Sequence, residues 1–449
     1  MAADYDLVIL GGTLAGREAA LQATTYGARV ALVEPPGLFL LNQRHRYLLQ
    51  ALQQVTRGRQ AQGVCQWFEA QPINQLGHGR ADWNWNAFLE WSAIAAETQD
   101  AHLSASALSA KGVDVVPEMP ERLSKRCLVT TRSRQIKARA VLAAFGLSPD
   151  VFKPLLTATQ LPKSVMIWGG GVRSLLWAEV LAQVGVQVTV QTVEVLPGWD
   201  EGVRTLVRSQ LTQTGVVFLD PADADTTTAE QTLCFGTEQP ALDLPKFVYH
   251  HSRRQYNSSP FLRINRKFQV GKSRLFACGA IIEGHREIAT TRREVLAAVQ
   301  NALFLPTRQI EPSQLIKTGH RFAMAGLTRS QAADRYGDRV RVWLATHAGS
   351  TDLSQVVPAS SYCQLVCVGR RLVGVHLVGD RADDCIAIVA TYLNQPITKL
   401  SNSLSSTSNS ALMDLVHQAA IQHCQTQWEI GHWKRDWSEN WFNWRRSRR

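Results

Sequence analysis

No run of about 20 consecutive apolar residues occurs in the 449-residue chain, so the sequence offers no helix able to span a bilayer. A cleaved leader is not visible either. Asp4 and Asp6 flank the first apolar strand, which starts too early for a basic opening followed by an apolar middle. Cytoplasmic residence is therefore expected. Cysteine is scattered: of eight, only Cys363 and Cys367 lie close together, and no second Cys or His pair has zinc-site spacing. This excludes a disulfide framework and leaves no metal site to expect. In YCQLVCVG the two cysteines share one strand face but stand too far apart to bond, and they read as core thiols. Acidic residues are outnumbered 37 to 48 by basic ones, a formal charge of +11 that fits an anionic partner, an acidic membrane surface or solubility alone. Hydrophobic content of 45% and charged content of 19% describe an ordinary globular chain, too long for one core.

The informative feature that is present comes first in the chain. Tyr5 to Glu34, YDLVILGGTLAGREAALQATTYGARVALVE, is a strand, a glycine-rich turn, a helix, a second strand and a terminal carboxylate. At Gly11 and Gly12 the chain must turn sharply, and its amides can face a pyrophosphate at the positive end of the next helix. Gly16 lets that helix pack close to the strand. Glu34 falls where a carboxylate can accept hydrogen bonds from an adenosine ribose. Thr13 replaces the usual middle glycine, and its β-carbon crowds the phosphate approach. A βαβ unit that binds nothing is the alternative.

Val165 to Val193 repeats the order of strand, glycine turn, helix and strand, which suggests a second nucleotide-binding domain. Between the two units, residues 80–104 carry helical spacing at Trp83, Phe88, Leu89, Trp91 and Ile94, and Ile136 to Gly146 reads as an element returning to the first sheet. Leu275 to Cys278 followed by Gly279 reads as a further return. After Pro306 and Pro312 the pattern changes to alternating strands at Val340–Ala345, Tyr362–Val368 and Leu372–Val378, then a helix at Ala411–His423.

The order of these blocks resembles the pyridine nucleotide-disulfide oxidoreductases, the family of dihydrolipoamide dehydrogenase, glutathione reductase and mercuric reductase. GGTLAG at 11–16 with Glu34 resembles the FAD fingerprint, and AAFG at 143–146 resembles the family's ATG turn. GGGVRS at 169–174 resembles the nicotinamide fingerprint, and LFACGA at 275–280 resembles the YAxGD block before the flavin. AMAGLT at 323–328 and LVGVHLVG at 372–379 look like the opening and central strands of the interface domain. The resemblance implies an α/β fold with two Rossmann-like FAD- and NAD(P)-binding domains with parallel sheets and a C-terminal α+β dimerisation domain. The expected boundaries are 1–160 and 265–311 for the FAD domain, 161–264 for the NAD(P) domain and 312–425 for the pairing module, with 426–449 as a tail. It also implies a homodimer. The cofactor residues carried over are Gly11, Gly12, Thr13, Gly16, Glu34, Gly146, Gly279 and Ala280 for FAD, and Gly169, Gly171 and Arg173 for NAD(P).

The departures bear on function. Where the family carries two cysteines five positions apart, Pro35 to Leu52 reads PPGLFLLNQRHRYLLQAL without one, which excludes disulfide exchange at that place. Cys65 lies downstream and alone. The family's acid-base pair should fall near residues 404–412, where Ser405 and Ser410 stand instead, and His417 and His423 beyond them are read as surface residues. Ala280 replaces the aspartate that grips the ribityl chain, a loss of about 0.5–1.5 kcal/mol. At the second turn Ser174 replaces the third glycine, Leu176 stands where the family has a glutamate, and the strand ends Gln191-Thr192 with Glu194 displaced by two. Arg173 meets either a phosphate or solvent. No catalytic acid or base is identified.

The chain then continues as WEIGHWKRDWSENWFNWRRSRR, in which Trp433, Trp437, Trp441 and Trp444 are spaced 4, 4 and 3 and share one helical face. That face is covered by the chain's own body or the second subunit, by an anionic membrane, or by a protein partner. Nucleic acid does not fit, because the basic residues of 428–449 form no groove-reading motif. The expected activity is FAD-dependent electron transfer from NAD(P)H without a thiol relay. The alternative is a catalytically silent dimeric scaffold that docks through its tryptophan helix.

Overall fold

The computed structural model describes residues 3–68, 84–124, 126–146, 149–222, 229–235, 262, 264–271, 273–283, 288–309, 316–319, 321–347, 361–404, 410–430 and 432–447. Trp83 and Ser405, and the side chains of Cys65 and Trp433, lie outside the described residues. The chain forms two compact units, Met1–Pro197 with Leu211–Pro312, and Gly198–Gln210 with Ser313–Arg449.

In the first unit, β1 (Tyr5–Leu10) runs into α1 (Leu14–Thr25) and returns as β2 (Val30–Val33). Leu7, Val8, Ile9 and Leu10 have no exposed surface, so β1 is a central strand covered on both faces. The inner face of α1 is made of Ala15, Gly16, Ala19, Ala20 and Ala23, all small and buried, which lets the helix lie close to the sheet. Next come α2 (Leu38–Phe68) and α3 (Trp85–Thr98), packed on each other, and α4 (Ala105–Ala110). The strands β3 (Val113–Val116), β4 (Arg122–Leu123), β5 (Leu128–Thr130) and β6 (Gln135–Ala143) follow. The strand order is β3-β2-β1-β6-β5-β4, parallel from β3 to β6 and antiparallel through β5 and β4.

After α5 (Lys153–Thr157) a second, four-stranded parallel sheet forms from β7 (Ser164–Trp168), β8 (Gln187–Gln191), β9 (Val217–Leu219) and β10 (Gln231–Cys234), in the order β10-β7-β8-β9. Between β7 and β8 runs α6 (Val172–Gln183), which buries a continuous run from Arg173 to Leu181. Then α7 (Glu201–Gln213) intervenes before β9. The chain returns to the first sheet as β11 (Leu275–Ala277), parallel to β6, and continues through α8 (Ala280–Glu283) and α9 (Ile288–Leu303), which packs on α1. The return expected at Leu275 to Cys278 is therefore a sheet strand.

The second unit holds β12 (Ile316–Thr318), β13 (Phe322–Gly326), α10 (Arg329–Tyr336), β14 (Val340–His347), β15 (Ser361–Val368) and β16 (Arg371–Val378). They form an antiparallel sheet of order β12-β13-β16-β15-β14. Its helices are α11 (Ala382–Val389), α12 (Ile397–Leu404), α13 (Ala411–Ile430) and the tail helix α14 (His432–Ser447). Alternation decides the two faces of the sheet. Cys363, Leu365, Cys367, Leu372, Val375 and Leu377 join Ile386, Val389, Leu400 and Val416 in one core. Cys363 and Cys367 are core thiols, pushed to high pKa by burial.

The opposite face carries a buried polar cluster. Gln364 and His376 are cross-strand neighbours, and Asp200 reaches both: its Oδ2 lies 3.3 Å from His376 Nδ1 and accepts a short bond from Gln364 Nε2. The Tyr362 hydroxyl donates to Gln364 Oε1 at 2.7 Å, the Arg329 N–H donates to Asp200 at 3.0 Å, and Trp199 stacks on the imidazole. Burial pushes the Tyr362 phenol up to about 12 and pulls His376 down to about 4.

The expectation that His423 faces solvent fails. It is 1% exposed and meets Trp343 edge-on, because the buried stripe Leu412, Val416, Ala419 and Ala420 continues one turn further along α13 and takes His423 with it. Burial, then Arg370, lowers its pKa too. His417 is half-buried. A histidine held neutral below its free pKa binds fewer protons folded than unfolded, so its stabilising effect is full above pH ~6.5 and falls as pH drops toward ~4. Urea midpoints measured between pH 7.5 and pH 4.5 are expected to fall most steeply through this window, and His376→Gln is expected to flatten the slope.

Candidate functional site at the ends of the first parallel sheet

In an open parallel sheet, ligands lie beyond the carboxyl ends of the strands, where the order turns back on itself. Here β2 lies on one side of β1 and β6 on the other. The chain leaves β1 through Gly11 at φ +113°, a conformation that rejects side chains, and a Cβ on Gly16 would stand 2.0 Å from the Gly11 carbonyl oxygen. Thr13 caps α1: its hydroxyl accepts from the Gly16 N–H at 3.3 Å and donates to the Ala144 carbonyl at 2.6 Å. The methyl of Thr13 is accommodated because Gly146 has no Cβ, which would meet it at 2.9 Å. Thr13 thus closes the turn onto the loop after β6. The next two amides, of Leu14 and Ala15, have no intrahelical acceptor and sit at the positive end of the helix.

These residues line a cleft together with Gly146, Gly279, Ala280 and Thr291. Gly279 follows β11, and its N–H donates at 3.0 Å to Glu294, a carboxylate 2% exposed on α9. Neighbouring Cys278 is fully buried, and desolvation with the Glu294 charge raises its pKa well above that of a free thiol. It is not a nucleophile.

Glu34 ends β2 as expected, but it is 4% exposed and already bonded. Arg17, the residue after Gly16, donates through Nε to Glu34 Oε2 at 3.0 Å and through Nη2 to Oε1, and its third nitrogen donates to the Leu103 carbonyl at 2.9 Å. Its guanidinium also covers the Phe39 ring at 3.9 Å. A Cβ on Gly12 would collide with the Glu34 carboxylate, so the pair lies flat against the glycine turn. Sequence reasoning missed Arg17. The signal was a cation directly after Gly16 in a helix whose inner face is otherwise alanine.

The far wall belongs to α2, in the segment where the family has its cysteines. Asn42, Gln43, His45, Arg46 and Leu49 line the cleft there. Asp100, on the loop after α3, fixes this wall: it lies 3.3 Å from Arg46, accepts from the Tyr47 hydroxyl at 2.8 Å and takes a short bond from Gln43. Desolvation, with Asp100, pushes the Tyr47 phenol up to about 12. The His45 ring stacks on Phe152 at 4.4 Å.

Arg173 does not face solvent. It is 7% exposed, lines the same cleft from α6, and lies over Phe152 at 4.6 Å and Phe235 at 5.6 Å. Trp177 packs against Phe152 with ring centroids 5.1 Å apart. No described residue lining the cleft is acidic, while Arg46 and Arg173 line it, the former held by Asp100 behind the wall. Neither Phe152 nor Trp177 was legible as a site residue, because an aromatic in a hydrophobic run reads as core.

The second glycine turn is built like the first, but its ribose end differs. Gly169 has φ +117° and Gly171 caps α6. A Cβ on Gly170 would meet the Glu194 carbonyl oxygen at 2.0 Å, and the Gly170 carbonyl accepts from Leu196 N at 2.7 Å. Where Gly12 faces a carboxylate, Gly170 faces a backbone carbonyl that already accepts from Thr192 at 2.9 Å. The displaced Glu194 side chain is exposed. Ser410 stands in the second unit with its hydroxyl 3.6 Å from Cys385 Sγ. Among the described residues no group of three or more His, Cys, Asp or Glu could hold a metal.

The family model of pyridine nucleotide-disulphide oxidoreductases matches residues 5–241. A dihydrolipoyl dehydrogenase of Bacillus subtilis is 23% identical over 440 residues, covering 86% of this chain and 91% of that protein. A glutathione reductase of a Nostoc species is 26% identical over 239 residues, covering 48% of each. Among solved structures, LpdA from Mycobacterium tuberculosis superposes with a TM-score of 0.72 at 17% identity, over 93% of this chain and 99% of that one, a likeness of fold.

Proposed function

The chain belongs to the pyridine nucleotide-disulphide oxidoreductase family, and from that premise we propose that it is an FAD-dependent oxidoreductase that passes electrons from NAD(P)H to an acceptor without a thiol relay. When bound, FAD supplies the electron-transfer chemistry. The residues present suit it. Leu14 and Ala15 offer their helix-start amides for a pyrophosphate, and Gly11, Gly16, Gly146 and Gly279 let the turn, α1 and the loops after β6 and β11 pack closely around the cleft, since a Cβ on any of them would meet the chain's own atoms. Glu34 would meet the adenosine ribose through the lone pairs that Arg17 leaves. Arg46 and Arg173 hold positive charge over the cleft, and Phe152, Trp177 and Phe235 keep water from one wall.

The observation that carries the absence of a relay is the α2 wall, where an amide pair, an imidazole and a guanidinium held by Asp100 occupy the place of the thiols. By the family's pattern residues 312–425 are the pairing module of a homodimer, and the boundaries near 160, 264 and 311 separate its nucleotide domains. One observation favours a second reading, a silent scaffold: Arg17 already occupies the carboxylate that would grip the ribose. Denaturing the purified protein and identifying the released chromophore separates the two. A yellow sample that releases FAD supports the enzyme. A colourless sample that stays colourless after incubation with FAD supports the scaffold.

A further inference from the structure

We propose that His45 is the proton donor to the electron acceptor, an assignment that rests on the oxidoreductase reading above. Among the described residues lining the cleft, His45 is the one whose side chain ordinarily gains and loses a proton near neutral pH; the others are apolar, aromatic, amide, hydroxyl or guanidinium groups. The ionisable groups behind the walls are engaged. Asp100 is taken by Gln43, Tyr47 and Arg46, Glu294 accepts from the Gly279 N–H, the Tyr47 phenol is pushed up to about 12, and the Cys278 thiol is fully buried.

Phe152 and the α2 backbone orient the imidazole. Its ring lies nearly parallel to Phe152, with 12° between the planes, and Nδ1 stands 3.4 Å from the Leu41 carbonyl oxygen one turn earlier. That oxygen only accepts, so Nδ1 keeps its hydrogen and the exchangeable proton belongs to Nε2. His45 is half-buried, which leaves water a route to return the proton. The charged side chains around it are its neighbours Arg44 and Arg46, Arg173 of α6 and, behind Arg46, Asp100. Leu49, Phe145, Leu176 and Trp177 make the lining largely apolar, which suits a flat conjugated dicarbonyl of the quinone class, and the guanidinium groups suit the negative charge its oxygens take up on reduction. The balance is NAD(P)H, a quinone and one proton giving NAD(P)+ and a hydroquinone. The nicotinamide C–H bond breaks and its electron pair and hydrogen end on the quinone, while the Nε2–H bond of His45 breaks to supply the second hydrogen and water reprotonates Nε2.

The test is stopped-flow reoxidation of the FAD-loaded, NADH- or NADPH-reduced full chain by 1,4-benzoquinone, whose reduction takes up protons, and by ferricyanide, which takes electrons alone. The wild-type benzoquinone rate is expected to fall as pH rises through ~6.5, because the imidazolium is the donor. In His45→Gln the ratio of benzoquinone to ferricyanide rates is expected to drop at least about 100-fold at mildly acid pH, and that pH dependence to vanish. His45→Asn is made alongside, and FAD content with circular dichroism confirms which variant is folded. An equilibrium readout accompanies the rates. Reduction adds negative charge in the cleft and raises the proton affinity of His45, so the wild-type flavin potential should fall more steeply with pH just above ~6.5 than that of the variant. An unchanged ratio, a pH profile kept by the variant, or parallel potential slopes in a yellow, reducible protein overturns the assignment and leaves the oxidoreductase reading standing. A protein that stays colourless with FAD ends that reading and the assignment with it.

Discussion

Arg17→Ala is expected to destabilise the protein by about 3–5 kcal/mol, among the largest effects of any single side chain here. The reason is asymmetric. Arg17 and Glu34 are 8% and 4% exposed, and every guanidinium nitrogen of Arg17 has a protein acceptor. Removing the cation leaves a carboxylate out of water against the glycine turn, with nothing nearby to replace its partner. The pair itself contributes far less than this loss, since its desolvation cost offsets most of its attraction. A double-mutant cycle makes the distinction measurable. Arg17→Met alone should be nearly as damaging as alanine, whereas Arg17→Met combined with Glu34→Gln should recover most of the stability, giving a coupling of at least about 2 kcal/mol by urea unfolding. Additive single effects would show that Glu34 reaches water and that the pair is ornamental.

Gly16→Val should be comparably severe, for a steric reason. The added Cβ would begin 2.0 Å from the Gly11 carbonyl oxygen, a backbone atom with no rotamer to escape into. Either α1 moves outward or the turn after β1 opens. The expected cost is about 3 kcal/mol or more. Because the same turn aims the Leu14 and Ala15 amides, ligand affinity should fall with stability. Gly37→Ala is a useful contrast. That glycine also has a positive φ, +75°, but nothing lies within 4 Å of its added Cβ, so only local backbone strain is expected. Thermal unfolding of the two variants side by side checks the difference.

The elements that were legible in the sequence share one property: their side-chain pattern is dictated by local geometry. The glycine turns at 11–16 and 169–171 appear because a reversed φ and a close helix approach admit little else. The strands at 340–347, 361–368 and 371–378 appear as apolar, β-branched runs, although 361–368 and 371–378 are buried along nearly their whole length rather than at alternate positions. Site residues whose role depends on a distant partner were not legible. Arg17 takes its meaning from Glu34 and Leu103, Arg46 from Asp100, and Arg173 from Phe152 and Phe235. His423 was misread because the apolar stripe of α13 is completed by Trp343, which lies on a strand 80 positions earlier. The family resemblance located the cleft, yet it could not tell that the α2 wall would be rebuilt from amide, imidazole and guanidinium.

The central claim is that the cradle keeps its flavin while sulfur takes no part in the electron path. The most direct measurement is anaerobic titration of the purified protein with NADH and NADPH, followed by its absorbance spectrum, before and after iodoacetamide is added to the reduced sample. The account predicts bleaching complete at about one reduced nicotinamide per flavin, and reoxidation by an added acceptor that alkylation leaves unchanged. Uptake of a second equivalent, or reoxidation abolished by iodoacetamide, would contradict it, because a thiol pair would then have to lie on the path.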